Sequence, residues 1–225
     1  MARSLPDLET ALRLLDTAQG QQHDYLCVDY SDSDRLKRTV EAYCLTKTIH
    51  ILVNNTGGPA GGAAHLADAT AYLSAFNNHL ICNQLLVQAV LNGMKKDGFG
   101  RIINVISTSV KQPLDNLGVS NTVRGAVASW AKTVANELGQ FGITVNNVLP
   151  GATATERLHA ILATDAARHQ TTTDEAAAKM QAAIPMRRFA EPHEIGAVVA
   201  FLASPAAAYI TGINLPVDGG RTKSL

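Results

Sequence analysis

The chain has 225 residues, 19 Lys plus Arg against 19 Asp plus Glu, 46% hydrophobic residues and only 17% charged ones. Such a chain is too apolar and too weakly charged to stay disordered, and it has no basic excess to hold a nucleic-acid backbone or an anionic membrane surface. Its length suits a single α/β domain with a large core.

Ser4 with Pro6 predicts a helix start, and Leu8, Leu12 and Leu15 continue at helical spacing. Asp24 to Asp29 (DYLCVD) reads as a short strand, followed by a helix from about Asp32 to Lys47. His50 to Val53 (HILV) is a continuous apolar run, as expected of a strand covered on both faces. The Gly-rich stretch Asn54 to Gly62 (NNTGGPAGG) is a loop, and a long helix is expected from about Ala69 to Met94. Its stripe Leu85, Leu86, Val90 belongs to a core or a subunit contact. Arg101 to Ile106 is the next strand, then a polar loop from Ser107 to Leu117 and a helix from about Val119 to Gln140. Ile143 to Leu149 is a strand ending at Pro150-Gly151. Helical segments at roughly Thr173 to Ile184 and Pro192 to Ala203 precede a last strand, Ile213 to Val217.

This alternation predicts an α/β fold, a doubly wound parallel sheet with right-handed crossovers. Ligands in such folds bind beyond the carboxyl ends of the strands, which here carry Asn54-Asn55, Ser107-Thr108 and Pro150-Gly151. The three cysteines, Cys27, Cys44 and Cys82, form no CxxC pair and read as small buried hydrophobes in a reducing compartment, with no metal site. No apolar run reaches the ~20 residues of a membrane span. The start MARSLPDLET lacks the apolar segment of a signal peptide, so a cytoplasmic location is expected.

The strand ends resemble those of the short-chain dehydrogenase/reductase family, over nearly the whole chain. Asn54-Asn55-Thr56-Gly57 is similar to the family's Asn-Asn-Ala-Gly, and Gly100 to Ser107 (GRIINVIS) to the strand that ends in its catalytic serine. Pro150-Gly151 with Thr155 resembles the segment that contacts the nicotinamide. Arg188 to Ile195, Phe201 to Pro205, Ile210 to Gly212 and Val217 to Gly220 resemble the carboxyl-terminal signatures. The resemblance implies a Rossmann-like fold and NADP- or NAD-dependent hydride transfer to or from a small-molecule carbonyl or secondary alcohol. It is nearest to the 3-oxoacyl-carrier-protein reductase-like members. It also implies a homodimer or homotetramer joined through the two long helices, with no nucleic-acid or membrane partner. The alternative is a family member without redox activity that serves as a binding or assembly partner. A Ser-dependent hydrolase is remote, since no Asp–His pair stands out to activate a nucleophile.

Two departures accompany the resemblance. The family's catalytic Asn, Ser, Tyr and Lys fall on His79, Ser107, Ser120 and Arg124, so only Ser107 keeps its identity. An aliphatic hydroxyl at Ser120 is a far weaker acid than a phenol, and Arg124 stays protonated while still able to hold a ribose or phosphate. His79 is therefore the expected proton donor, with Lys111 as a second candidate. The plain structural alternatives are a capping role for Ser107, a satisfied core imidazole for His79 and an ion pair for Arg124. The second departure is at the front, where the family's first strand, Gly-x-x-x-Gly-x-Gly turn and helix have no counterpart. A single domain over residues 1–225 is thus expected to lack about 30 residues of a strand–helix–strand unit, which leaves open whether the chain as given binds cofactor. The remaining cofactor residues implied are Arg3 for a 2′-phosphate (favouring NADP), Asp29 beside the adenine, Asn54, Thr56, Gly57, Arg124, Pro150, Gly151 and Thr155.

Overall fold

A computed structural model describes residues 1–224. Four strands, β1 (Ile51–Asn55), β2 (Gly100–Val105), β3 (Ile143–Pro150) and β4 (Asn214–Val217), form one sheet in the order β1-β2-β3-β4. Every neighbouring pair is parallel. Helices α2 (Ser33–Cys44), α4 (Cys82–Asp97) and α5 (Gly118–Leu138) cover one face, where Leu52, Ile102 and Val145 pack with Leu36, Leu86, Val90 and Val134. Helix α8 (Pro192–Ala203) covers the other, where Ile103 and Val148 meet Ile195 and Leu202. Helices on both faces make this the doubly wound, Rossmann-like arrangement expected. Among the described residues no helix is long and apolar enough to cross a membrane.

The local signals operate as their chemistry requires. In α1 (Leu5–Leu14) the Ser4 hydroxyl accepts from the Asp7 N–H, and Pro6 sits in the first turn. In α8 the Glu191 and Glu194 carboxylates cap each other's backbone. The helix expected from Ala69 to Met94 is real but interrupted. Helix α3 (Ala69–Phe76) and α4 are joined by one π-turn, Asn77–Ile81, which carries His79. Such a turn widens the helix by one residue and re-aims a side chain, and single π-turns are common at functional sites. The helix expected at Thr173 to Ile184 is α7 (Thr173–Ala182), and it packs on a helix the sequence pattern does not mark, α6 (Glu156–His169), through an apolar cluster of Leu158, Leu162, Ala166 and Ala176.

Two strand expectations need correction. Asp24 to Asp29 forms no ladder: the Ala2 N–H donates to the Leu26 carbonyl (3.3 Å) and the Val28 N–H to the Ala2 carbonyl (2.9 Å), giving a single parallel bridge. A strand exists only through a neighbour, and here one residue is all the neighbour supplies. The apolar run at β1 is buried on one face only. Ile51 and Val53 are 46% and 43% exposed, because α8 lies over β2 and β3 and does not reach the edge strand.

One polar row crosses the whole sheet. Asn54 pairs in register with Asn104, Asn104 with Asn147, and Asn147 with Asn214. Each side-chain amide donates to the next carbonyl oxygen, Asn54 to Asn104 (2.9 Å), Asn104 to Asn147 (2.9 Å) and Asn147 to Asn214 (2.8 Å). At the β1 end the Oδ1 of Asn54 is buried without a hydrogen-bond partner among the described residues. Truncation of Asn104 strands an amide on one side and a carbonyl on the other, both buried. Asn104→Ala should therefore lower the unfolding free energy in urea by about 2–4 kcal/mol, whereas Asn214→Ala, at the half-buried end, should lower it by about 1 kcal/mol.

Candidate active site

The carboxyl ends of β1 and β2 meet at one side chain. Arg124, on α5, is only 7% exposed; its guanidinium donates to the Val105 carbonyl (2.8 Å) and to the Thr56 carbonyl (3.3 Å). It thereby ties the last residue of β2 to the first residue after β1. The Thr56 hydroxyl is hydrogen-bonded to Nδ1 of His79, which the π-turn aims into this corner. Ser107 lies two residues beyond β2. Its oxygen accepts from the Ser109 N–H (3.1 Å) and caps the short 3₁₀ turn Thr108–Val110. The capping role is thus present, and the hydroxyl proton remains available to another acceptor. Ser120 sits on α5 one turn before Arg124 and is buried. Lys111 closes the 3₁₀ turn after Ser107, with its N–H on the Thr108 carbonyl. Ser107, His79, Ser120 and Arg124 therefore belong to one end of the sheet, as the strand-end argument requires.

Electrostatics distinguish these groups. Burial, together with the charges of Arg124 and Arg157, pushes His79 down to about 4. Burial first, and then Arg157, lowers Arg124 to about 10. At neutral pH His79 is a neutral imidazole, so the expectation that it stands ready as an imidazolium acid needs correction: a ring 2% exposed beside a buried guanidinium resists a second positive charge. Arg124 has no ion pair among the described residues, contrary to the structural alternative considered for it.

The expected cofactor residues divide into open and engaged ones. A Cβ on Gly57 would meet nothing within 4 Å, which leaves room for a ligand against its backbone. Arg3 is exposed and lies near Asp29, whose carboxyl is held below the usual range mainly by Ser31 and least by Arg3. Three of the others, Asn54, Gly151 and Thr155, already have structural roles. Asn54 is part of the buried amide row. Gly151 is required by packing, since a Cβ there would stand 2.7 Å from Asp218. Thr155 caps α6, its hydroxyl accepting from the Leu158 N–H at 3.4 Å. Pro150 ends β3 beside Gly151, half-buried.

One residue of this corner carries no signal in the sequence. Arg157, in the first turn of α6, donates to the carbonyls of Gly58 (2.9 Å) and Pro59 (3.2 Å) and so clamps the Gly-rich loop. A Cβ on Gly58 would fall 2.7 Å from that guanidinium. Nothing in the helix pattern of Glu156 to His169 marks Arg157, because its partners lie about a hundred residues earlier.

Comparison with known proteins agrees with this architecture. The family model described as Enoyl-(Acyl carrier protein) reductase matches residues 5–222. The chain is 32% identical over 206 residues to the 3-oxoacyl-acyl-carrier-protein reductase FabG of Vibrio harveyi, covering 89% of this chain and 78% of that protein. It is 29% identical over 186 residues to the NADPH-dependent reductase BacG of Bacillus subtilis, covering 83% and 71%. The crystal structure of an actinorhodin polyketide ketoreductase variant with NADPH superposes with a TM-score of 0.90 at 29% identity, covering 99% of this chain and 86% of the other. The chain belongs to the short-chain dehydrogenase/reductase family.

The neutral burial of His79 has a consequence for stability. Its folded value lies below that of the unfolded chain, so between about pH 6.5 and 4 the unfolded state binds the extra proton. Stability from this residue is complete above pH 6.5 and is lost as pH falls toward 4, by on the order of 2–3 kcal/mol. Urea unfolding as a function of pH should show that slope, and His79→Asn should flatten it.

Proposed function

We propose that this short-chain dehydrogenase/reductase is an NADP- or NAD-dependent oxidoreductase that interconverts a carbonyl and a secondary alcohol on a small molecule, in the manner of the ketoacyl reductases it is similar to. The observation that carries the reading is the Arg124 guanidinium joining the ends of β1 and β2 beside Ser107 and the Thr56–His79 pair. That arrangement places a hydroxyl donor and a fixed positive charge at the carboxyl end of a parallel sheet, where ligands of doubly wound folds bind.

The open space over Gly57 is the main fit to a nicotinamide cofactor, with Thr56, Pro150, Gly151 and Thr155 along the same strand ends and Asn54 supporting them from within the sheet. Arg3 beside Asp29 would meet the adenosine end, and a cation there favours a 2′-phosphate, hence NADP over NAD. When bound, such a cofactor supplies or accepts the hydride. Ser107, fixed by the Ser109 N–H, donates a hydrogen bond to the substrate carbonyl oxygen and orients it. Arg124 stabilises the negative charge that develops on that oxygen, in a site where burial strengthens the interaction.

The proton that completes the alcohol must come from a group able to release one. Ser120 is too weak an acid, Arg124 holds its protons, and His79 is neutral at working pH. Lys111, at the turn after Ser107, and a water relay to bulk solvent are the sources that remain, and His79 acts as a positioning residue that holds the Thr56 hydroxyl. A subunit contact through the outer face of α3 suits its exposed Leu73 and Phe76, consistent with a homodimer or homotetramer.

Titration with NADPH and NADH, followed by cofactor fluorescence, tests the reading; correctly folded protein that binds neither leaves the redox-inactive alternative. With a turned-over ketone, Ser107→Ala should reduce kcat/KM by roughly a hundredfold. His79→Asn should change kcat less than about tenfold and leave the pH–rate profile between pH 6 and 8 unmoved. A lost inflection in that variant would return His79 to the role of proton donor.

A further inference from the structure

Helices α6 and α7 stand on the sheet by a narrow neck. The chain enters and leaves them side by side at Thr153 and Ala190, which form a single parallel bridge. There the Ala154 N–H donates to the Ala190 carbonyl (2.8 Å) and the Ala190 N–H to the Ala152 carbonyl (2.9 Å). Just before the neck the returning chain is tied once more, the Met186 N–H donating to the Gly219 carbonyl (3.2 Å). Beyond these points the two helices pack chiefly on each other. Leu158, Leu162, Ala166 and Ala176 make a small core of their own, and the residues packed against it all come from positions 152–189. A unit with its own core and a narrow attachment pivots about that attachment unless a second contact fixes its tilt.

Arg157 supplies that second contact. From the first turn of α6 it donates to the carbonyls of Gly58 (2.9 Å) and Pro59 (3.2 Å), 99 and 98 residues earlier in the chain. Two features mark the contact as specific. A cation in the first turn opposes the helix dipole, so α6 gains nothing from an arginine there, whereas Glu156 beside it suits that end. Gly58 in turn fits the guanidinium, since a Cβ would stand 2.7 Å from Nη2 and 3.0 Å from Nη1. Gly58 is not among the glycines with positive φ, so a side chain there would cost the room that Arg157 occupies and no backbone freedom. Gly57, one residue earlier, is the loop's open position at the strand ends.

We propose that Arg157 is a positioning residue: it latches the α6–α7 lobe to the Gly-rich loop, so that lobe and loop hold one relative position and the Gly57 backbone is fixed before a ligand arrives. The proposal rests on the oxidoreductase reading above for the identity of that ligand. A loop ordered in advance adds no ordering entropy to the cost of binding. The latch therefore acts on the affinities for cofactor and substrate and leaves the chemical step alone.

Hydrogen–deuterium exchange of the cofactor-free protein, read by mass spectrometry, tests the latch in Arg157→Ala, Gly58→Ala and the double variant. Gly58→Ala reaches it from the loop side, because the methyl group displaces the guanidinium while α6 is unaltered. Arg157 is exposed and Gly58 half-buried, so neither substitution opens the core. Each single variant should speed exchange at residues 56–62 and across α6 by roughly tenfold. The double variant should be no faster than either single one, as two changes to one contact require. Arg157→Lys, a single ammonium in place of a two-armed donor, should restore part of the protection. NADPH titration, and kinetics with a turned-over ketone, should show the NADPH Kd and the KM raised about fivefold to tenfold in the single variants and kcat within about twofold. Unchanged exchange in Arg157→Ala, or single effects that add in the double variant, overturns the latch. Unchanged Kd and KM, or a fall in kcat alone, overturns the positioning role. Coupled exchange in a protein that binds neither NADPH nor NADH keeps the latch and faults the oxidoreductase reading alone.

Discussion

The row of asparagines through the centre of the sheet constrains everything built on it. The two central amides, Asn104 and Asn147, each accept from one neighbour and donate to the next, so Asn54, Asn104, Asn147 and Asn214 interlock in one direction across all four strands. A slip of one residue at any strand would turn its amide to the opposite face and strand its neighbours in an apolar interior. The row therefore holds the four strands to one register, which nonspecific burial of Ile102, Ile103 and Val145 could not do. Thr56 follows two residues after this level on β1, Ser107 three residues after it on β2, and Gly151 four residues after it on β3. The register of the sheet is also the alignment of the site.

Above that level, the structure places charge where stability alone would not. Arg124 lies in the angle between two strand ends, desolvated and answered only by carbonyl oxygens, with a neutral imidazole and a second arginine nearby. Sites that depart from local stability rules in this way are the expected places for function. The same desolvation sets the chemistry. It weakens the case for His79 as an acid and strengthens the field that Arg124 exerts on any negative charge at Ser107.

Several residues that resemble a cofactor site have a second reason to be what they are. Asn54 keeps the sheet in register, Gly151 lets β3 pass Asp218, and Thr155 starts α6. These roles do not compete with binding, since a backbone held close to its neighbours is also one that presents itself in a fixed place. Gly57 and Gly58 separate the two cases. Gly57 faces open space, whereas Gly58 is filled by the Arg157 side chain.

The sequence by itself determined the alternation of elements, the cap at Ser4, the parallel sheet and the end of that sheet where Ser107, Ser120 and Arg124 gather. These follow from periodicity, capping chemistry and chain order, all of which act over a few residues. The π-turn under His79, the bare face of Ile51 and Val53, and the absence of a ladder at Asp24 to Asp29 were decided in three dimensions. Whether an apolar run is covered or a strand finds a partner depends on elements far away in the chain. The arginine pair was equally illegible: Arg124 and Arg157 are 33 residues apart, and the carbonyls they bind come from two other strand ends. Side-chain charge is local information, but its balance is set by which neighbours the fold brings near and which it leaves out.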